Sequence, residues 1–109
     1  MPWLLRDDEV LATLEVADGF GSRLKGLLGR DGIDGVLLLK PARSVHTIGM
    51  RFPIDVAFCS ADLEVLRVVT MPRHRLSRPC MKAACVLEAE AGTFGHMELH
   101  PGDHLEIRD

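Results

Sequence analysis

Aromatic side chains are scarce in this sequence, and their scarcity excludes several kinds of function. The 109 residues include four phenylalanines, one tryptophan and no tyrosine. Proteins that bind single-stranded nucleic acid stack the bases on aromatic rings and use a basic surface, whereas this chain has a net charge of −3. We therefore expect no nucleic-acid partner, and the shortage of rings also argues against a sugar-binding surface.

Cysteines and long apolar segments are also scarce. Cys59, Cys80 and Cys85 are an odd number without CxxC spacing, which argues against a disulfide framework and a zinc ribbon, so we expect three small buried side chains. No apolar run approaches the roughly 20 residues that cross a bilayer, so we expect no membrane partner. The N-terminus lacks the basic start and apolar stretch of a secretory signal, which predicts a cytoplasmic location.

The familiar catalytic motifs are absent as well. The sequence contains no GxSxG, no phosphate-binding loop and no HExxH, so we expect neither classical nucleophilic nor metalloprotease chemistry, and no cofactor. Its composition is 47% apolar and 27% charged, as in an average globular protein. The length suits a single domain over residues 1–109.

Apolar patterns in the sequence predict a mainly β protein. In residues 10–16 every even position is apolar, as in a strand with one buried face, and the acidic turn before them predicts a hairpin with residues 3–6. Val36–Leu39 is apolar throughout, which is typical of a strand buried on both faces. Further strands are predicted at Ile54–Cys59, residues 64–70, Cys85–Glu90 and residues 105–107.

One short helix is predicted over residues 18–29. Asp18 is suited to its N-cap, apolar residues follow at helical spacing, and Gly29 can end it. Residues 91–96 predict a turn or short helix, and residues 71–82, with two prolines and four cations, predict a long loop. Many short strands with one small helix predict a compact sandwich or a partly closed barrel.

Charge is unevenly distributed along the chain. Residues 35–87 contain eight basic and three acidic residues, whereas the remaining residues contain five basic and thirteen acidic ones. Six of those eight cations are arginines, whose planar guanidinium suits carboxylate and phosphate groups. This segregation predicts a local positive potential that attracts an anion. The alternative is that the cations coat strand edges and prevent edge-to-edge pairing.

Three segments resemble one known family. They are GLLGR at residues 26–30, SVHTIGMRFPIDVAF at residues 44–58, and VLEAEAG at residues 86–92 followed by Gly102 and Asp103. Together they resemble the bacterial and archaeal family of domains of unknown function numbered 192. The resemblance covers nearly the whole chain and implies a mainly β domain, with no agreed activity. Many relatives have Trp-Met-x-Asn-Thr where this chain has HTIGM at residues 46–50, so a titratable ring replaces an aromatic one.

The leading candidate site is built around His46, Arg51 and Asp55. If residues 43–48 are extended, Ser44 and His46 share one face, and the following turn can return Asp55 to His46. A carboxylate beside a histidine fixes the tautomer of the imidazole and can tune its charge near neutral pH. A nearby arginine can hold an anion with two hydrogen bonds. The alternative is that Asp55 accepts structural hydrogen bonds that hold the loop.

Two further segments contain chemically interesting side chains. Glu88 lies within an apolar strand, so burial would require a cationic partner, and we expect an ion pair with Arg30 or Arg67. His96 and His100 would share one face of an extended segment, as in a surface metal clamp. We favour a solvated polar face there and expect no metal site.

Three functions are compatible with these observations. The first is the binding of an anionic small molecule or acidic peptide at an Arg/His face. The second is an enzyme that uses His46 and Asp55 as an acid–base pair on an anionic substrate. The third is an interaction module whose basic loop, residues 71–82, docks an acidic partner protein. The candidate ligand-binding residues are Arg30, Arg43, His46, Met50, Arg51, Asp55, Arg73 and Glu88.

Overall fold

The computed structural model describes residues 1–17, 19, 21 and 26–109. The elements formed by these residues are β1 (Trp3–Arg6), β2 (Glu9–Ala17), β3 (Val36–Leu39), β4 (Ile54–Cys59), β5 (Val65–Met71), β6 (Cys85–Glu90), the short helix α1 (Thr93–His96) and β7 (Glu106–Arg108). The helix predicted over residues 18–29 falls largely outside the described residues. Its described end, residues 26–29, is a turn in which Gly29 has a φ of 85°.

The strands form a single seven-stranded sheet in the order β5-β4-β6-β3-β2-β1-β7. Neighbouring strands are antiparallel except for β2 and β3, which are parallel. The two edges approach each other, since the N–H of Val65 donates to the carbonyl of Asp103 at 2.8 Å and that of Leu105 to Leu63 at 3.0 Å. The predicted mainly β fold is confirmed, and the sheet is not closed into a barrel.

Both faces of the sheet are covered. In β4 the alternation seen in the sequence is confirmed, because Ile54, Val56 and Phe58 enter one core cluster while Ala57 and Cys59 enter the other. Successive side chains of a strand point to opposite faces. We call the face of Val56 the first face and that of Ala57 the second face. The first face is covered by loop residues from segments 27–33, 42–52 and 80–83, and the second face by α1 and the segment that follows it.

Strand β2 departs from the simple alternation that its sequence predicts. Leu14 is buried, but Val10 and Val16 are 53% and 43% exposed although they were expected on the same apolar face. The strand pairs with β1 through residues 9–13 and with β3 through residues 14–17, and the β1 pairing contains a register shift. Because β2 changes partners along its length, its predicted apolar face is buried at Leu14 but exposed near both ends of the strand.

The remaining predictions about burial are confirmed for the described residues. Every residue of β3 is buried, as expected for a strand covered on both faces. Cys59, Cys80 and Cys85 are free and buried. None of the helices in the described part of the chain is long and apolar enough to span a membrane.

Candidate functional site

Two long loops lie against each other on the first face of the sheet. We call these segments, residues 43–50 and 72–80, the paired loops. Backbone hydrogen bonds join them from Cys80 to Arg43 at 2.8 Å, from Ser77 to Val45 at 2.9 Å and from Thr47 to the carbonyl of Arg75 at 2.8 Å. The predicted loop over residues 71–82 is therefore held along much of its length by backbone hydrogen bonds, as two strands would be.

Thr47 is the central polar residue between the paired loops. Its side chain is fully buried, its hydroxyl donates to the carbonyl of Pro72 at 2.6 Å, and it accepts from the N–H of Arg75 at 2.9 Å. Val45 and Thr47 are buried whereas His46 is exposed, which confirms the expected alternation. The same alternation could have identified Thr47 as a buried polar residue, but Thr47 was not among the candidates predicted from the sequence.

Removing the Thr47 hydroxyl is expected to destabilise the protein. In Thr47→Val the shape is kept, but the carbonyl of Pro72 and the N–H of Arg75 lose their partner, which costs about 1–3 kcal/mol in free energy of unfolding. Urea denaturation followed by circular dichroism measures this loss. The control Thr47→Ser keeps the hydroxyl and should lose less; equal stability of Thr47→Val and the wild type would contradict the role assigned to the hydroxyl.

A cavity of about 750 Å³ opens beside the paired loops, and we call it the basic cavity. Its charged or titratable lining residues are Arg43, His46 and Lys82, and the described lining includes no acidic residue. The Nε of Arg43 donates to the carbonyl of Ala83 at 3.3 Å, and within the described structure the three side chains make no other hydrogen bond or ion pair. The terminal nitrogens of Arg43 and the Lys82 ammonium are therefore available to a ligand.

A second cavity of about 290 Å³ adjoins the first, and we call it the Glu88 cavity. The two cavities share Leu39, Ser44 and His46 as lining residues. Apart from Glu88, His46 and two serines, Ser44 and Ser77, the described walls of the Glu88 cavity are apolar or glycine. The two cavities therefore share part of their walls and differ in the charges that line them.

Glu88 is a buried carboxylate without a described partner. It lies in β6 opposite Val56 of β4 and Leu37 of β3, and only 4% of its surface is exposed. Burial raises the pKa of its carboxyl to about 7. No hydrogen bond or ion pair joins this side chain to any residue that the structure describes. The sequence predicts partial burial of Glu88, and the structure buries it almost completely.

The expected ion pair of Glu88 with Arg30 or Arg67 does not form. Arg30 instead makes two hydrogen bonds with the carboxylate of Glu15, which hold the pKa of that carboxyl below its usual value. Arg67 donates to backbone carbonyls of the 71–82 loop and lies 5.1 Å from the centre of the Phe58 ring. Both arginines stay partly in water in this way, and so avoid the cost of burying a guanidinium.

Asp55 lies on the second face and does not meet His46. Its Oδ1 accepts from the Thr70 hydroxyl at 2.7 Å, and its Oδ2 accepts from the N–H groups of Gly92 and Phe94 at 2.9 and 3.0 Å. The carboxylate thus accepts structural hydrogen bonds, as in the alternative considered from the sequence, but it holds the start of α1 and not the loop of residues 49–53. Because Asp55 and Ile54 point to opposite faces, Ile54 rather than Asp55 reaches the Glu88 cavity with His46.

The other sequence candidates divide between the cavities and the surface. Met50 is buried and lines the Glu88 cavity. Arg51 forms an exposed ion pair with Asp31 at 2.9 Å, and Arg73 is exposed. The candidates that line one or both of these neighbouring cavities are therefore Arg43, His46, Met50 and Glu88. Arg30, Arg51, Asp55 and Arg73 line neither of them.

The histidines near the C-terminus form no metal centre within the described residues. His96 ends α1, and Glu98 has a φ of 53°, so the segment from His96 to His100 is not extended. No group of three or more His, Cys, Asp or Glu residues in the described chain is arranged to hold a metal ion.

Comparisons with known proteins identify relatives over almost the full length. Residues 4–107 match the model of the family described as Uncharacterized ACR, the domains of unknown function numbered 192. The UPF0127 protein of Pyrococcus furiosus is 28% identical over 103 residues, and the match covers 90% of this chain and 89% of that protein.

Two crystal structures have a similar fold. A protein of unknown function from Novosphingobium aromaticivorans has a TM-score of 0.79 at 17% identity, covering 96% of this chain and 82% of that one. A protein from Sinorhizobium meliloti, described as a proposed transcription regulator, has a TM-score of 0.79 at 24% identity, covering 97% and 91%. At these identities the likeness concerns the fold alone.

Proposed function

The chain belongs to the family of domains of unknown function numbered 192, and from that premise we propose that it binds an anionic small molecule in the basic cavity. The observation that supports this most directly is the lining of that cavity. Arg43, His46 and Lys82 face a volume of about 750 Å³, and no acidic residue is among its described lining residues. Cavities of this size are typical of small-molecule sites.

The availability of these cations also supports the proposal. Four arginines of the described chain form ion pairs with carboxylates, namely Arg6, Arg30, Arg51 and Arg108. Arg43 and Lys82 have no such partner among the described residues. A protein with a net charge of −3 that leaves two cations unpaired at one cavity creates a local positive potential. Carboxylate and phosphate groups match the guanidinium geometry of Arg43.

The backbone around Arg43 is held in place before any ligand arrives. The carbonyl of Arg43 accepts from the N–H of Cys80 at 2.8 Å, and the N–H of Ala42 donates to the carbonyl of Ala84 at 3.2 Å. A site whose backbone is already ordered loses less conformational entropy on binding. This favours recognition of a small ligand by a preformed cavity.

Citrate and inorganic phosphate are suitable probes for this proposal. We expect citrate titration, followed by amide NMR, to shift the signals of Arg43, Ser44, His46 and Lys82. Arg43→Ala and Lys82→Ala should each weaken citrate binding about tenfold, which corresponds to about 1.4 kcal/mol. The matched control is Arg73→Ala, which removes an exposed arginine that lines neither cavity. Equal affinities in Arg43→Ala and the wild type would contradict the proposal.

A second candidate function is docking of an acidic protein segment on the 71–82 loop. It is supported by Leu76 and Met81, which are 74% and 69% exposed within this cationic segment. An acidic peptide of ten or more residues with one leucine, used as the probe, should then shift amides of residues 73–78, and Leu76→Ser should weaken it. Leu76 lines the Glu88 cavity but not the basic cavity, so the affinity for citrate, which needs only the basic cavity, should not respond to Leu76→Ser. The acid–base enzyme has no such support, since Asp55 and His46 do not meet.

A further inference from the structure

The carboxylate of Glu88 has no hydrogen-bond donor or cationic partner among the described residues of its cavity. Glu88 is only 4% exposed, and its carboxylate needs a hydrogen-bond donor or a cation, because an unpaired buried charge is costly. The two arginines expected to pair with it, Arg30 and Arg67, are bound elsewhere. The only other titratable residue among the described lining residues is His46, at the junction with the basic cavity.

We propose that the ligand is an elongated zwitterion, whose ammonium group enters the Glu88 cavity and pairs with Glu88 while its anionic end lies at Arg43 and Lys82. This inference rests on the proposed function and adds a cationic end to the ligand. The walls support it, since Leu39, Met50 and Ile54 suit a hydrocarbon chain. Ser44 adds a hydroxyl group that can accept a hydrogen bond from the ammonium, and the Ser77 hydroxyl, which already accepts from the N–H of Val45 at 2.8 Å, has a second lone pair for it.

The spacing of the two cavities favours a long ligand over an α-amino acid. Ala84 lines the basic cavity just before β6, and Glu88 lies four residues further along. At about 3.3 Å per residue in a strand, these positions are about 13 Å apart. The charged groups of an α-amino acid are attached to one carbon atom and cannot span this separation. An ω-amino acid or a short peptide can.

Three probes of similar length separate the two ends of the proposed ligand. 8-Aminooctanoate has an amine and a carboxylate about 10 Å apart when extended, and the long side chains of Glu88, Arg43 and Lys82 can cover the rest of the backbone separation of about 13 Å. Octanoate lacks the amine, and octylamine lacks the carboxylate. Calorimetric titration at pH 8, above the pKa of about 7 of the Glu88 carboxyl, keeps that group largely ionised. We expect the wild type to bind 8-aminooctanoate at least tenfold more tightly than octanoate or octylamine.

Variants then assign each end to a residue. Glu88→Gln should bind 8-aminooctanoate and octanoate equally, because the neutral amide does not attract the ammonium. Glu90→Gln is the matched control, a glutamate two residues along the same strand that lines neither cavity. Arg43→Ala should weaken 8-aminooctanoate and octanoate by the same factor. Circular dichroism confirms that each variant is folded.

The outcomes distinguish this inference from the proposed function. Equal binding of octanoate and 8-aminooctanoate by the wild type would overturn the zwitterion and leave anion binding supported. The wild type could instead bind octylamine as tightly as 8-aminooctanoate, with Arg43→Ala leaving both affinities unchanged. That result would overturn both anion binding and the zwitterion, and would leave only the binding of a cation at Glu88. Failure of all three probes to bind would count against both proposals.

Discussion

Asp55→Ala is expected to lower the free energy of unfolding by about 3–5 kcal/mol. Asp55 is 3% exposed and accepts three hydrogen bonds, from Thr70, Gly92 and Phe94. The alanine variant leaves the buried N–H of Phe94 without an acceptor, at a cost of about 1–3 kcal/mol, and removes the part-buried hydrogen bonds from Thr70 and Gly92, which contribute about 0.5–1.5 kcal/mol each. Typical domains are stable by about 5–15 kcal/mol, so this one substitution removes a large part of the total.

Graded variants test whether the hydrogen bonds of Asp55 cause the loss. Asp55→Asn retains one oxygen for the N–H groups of Gly92 and Phe94, and its amide can donate to the Thr70 hydroxyl, so it should be less destabilised than Asp55→Ala. Asp62→Ala is the control, because it removes an exposed carboxylate from the turn after β4. Urea unfolding of the four proteins gives the comparison. A loss below about 1 kcal/mol for Asp55→Ala would exclude the proposed anchoring of α1.

The stability of the wild type is expected to fall as pH rises from about 5 to 8, because of Glu88. Its carboxyl has a pKa of about 7 in the folded protein and an ordinary value of 4.5. Between these values the folded state binds more protons than the unfolded state, so the free energy of unfolding decreases with rising pH. The shift corresponds to a decrease on the order of 3 kcal/mol, complete above the folded-state pKa.

Substitution of Glu88 by glutamine isolates this effect from other titrations. Glu88→Gln cannot ionise at this position, so its stability relative to the wild type should increase from pH 5 to about pH 7 and level off towards pH 8. Urea unfolding midpoints at half-unit pH intervals measure the difference. Glu90→Gln, in which an exposed glutamate of the same strand is neutralised, should follow the wild type. Parallel curves for Glu88→Gln and the wild type would show that the Glu88 carboxyl is not perturbed in this way.

The candidate site was only partly predictable from the sequence. The cationic character of residues 35–87 and the exposure of His46 follow from local composition and alternation. The sequence also required a partner for Glu88 on burial, but it did not show that Arg30 would bind Glu15 instead. The expected His46–Asp55 pair was wrong for a geometric reason. His46 lies in the paired loops, which cover the first face of the sheet, whereas the side chain of Asp55 in β4 points to the second face. Which face the loops cover is not encoded near either residue.

The sequence by itself determined the strands, the tight turns between them and the burial of β3, because alternation and turn chemistry depend on neighbours a few residues apart. Tertiary structure decided which segments meet. It inserted β6 between β3 and β4, paired residues 43–50 with residues 72–80, and placed Glu88 in the lining of a cavity that shares walls with the one lined by Arg43. Such contacts join residues that are far apart in the chain, and they arise from packing of the whole sheet, which no local pattern encodes.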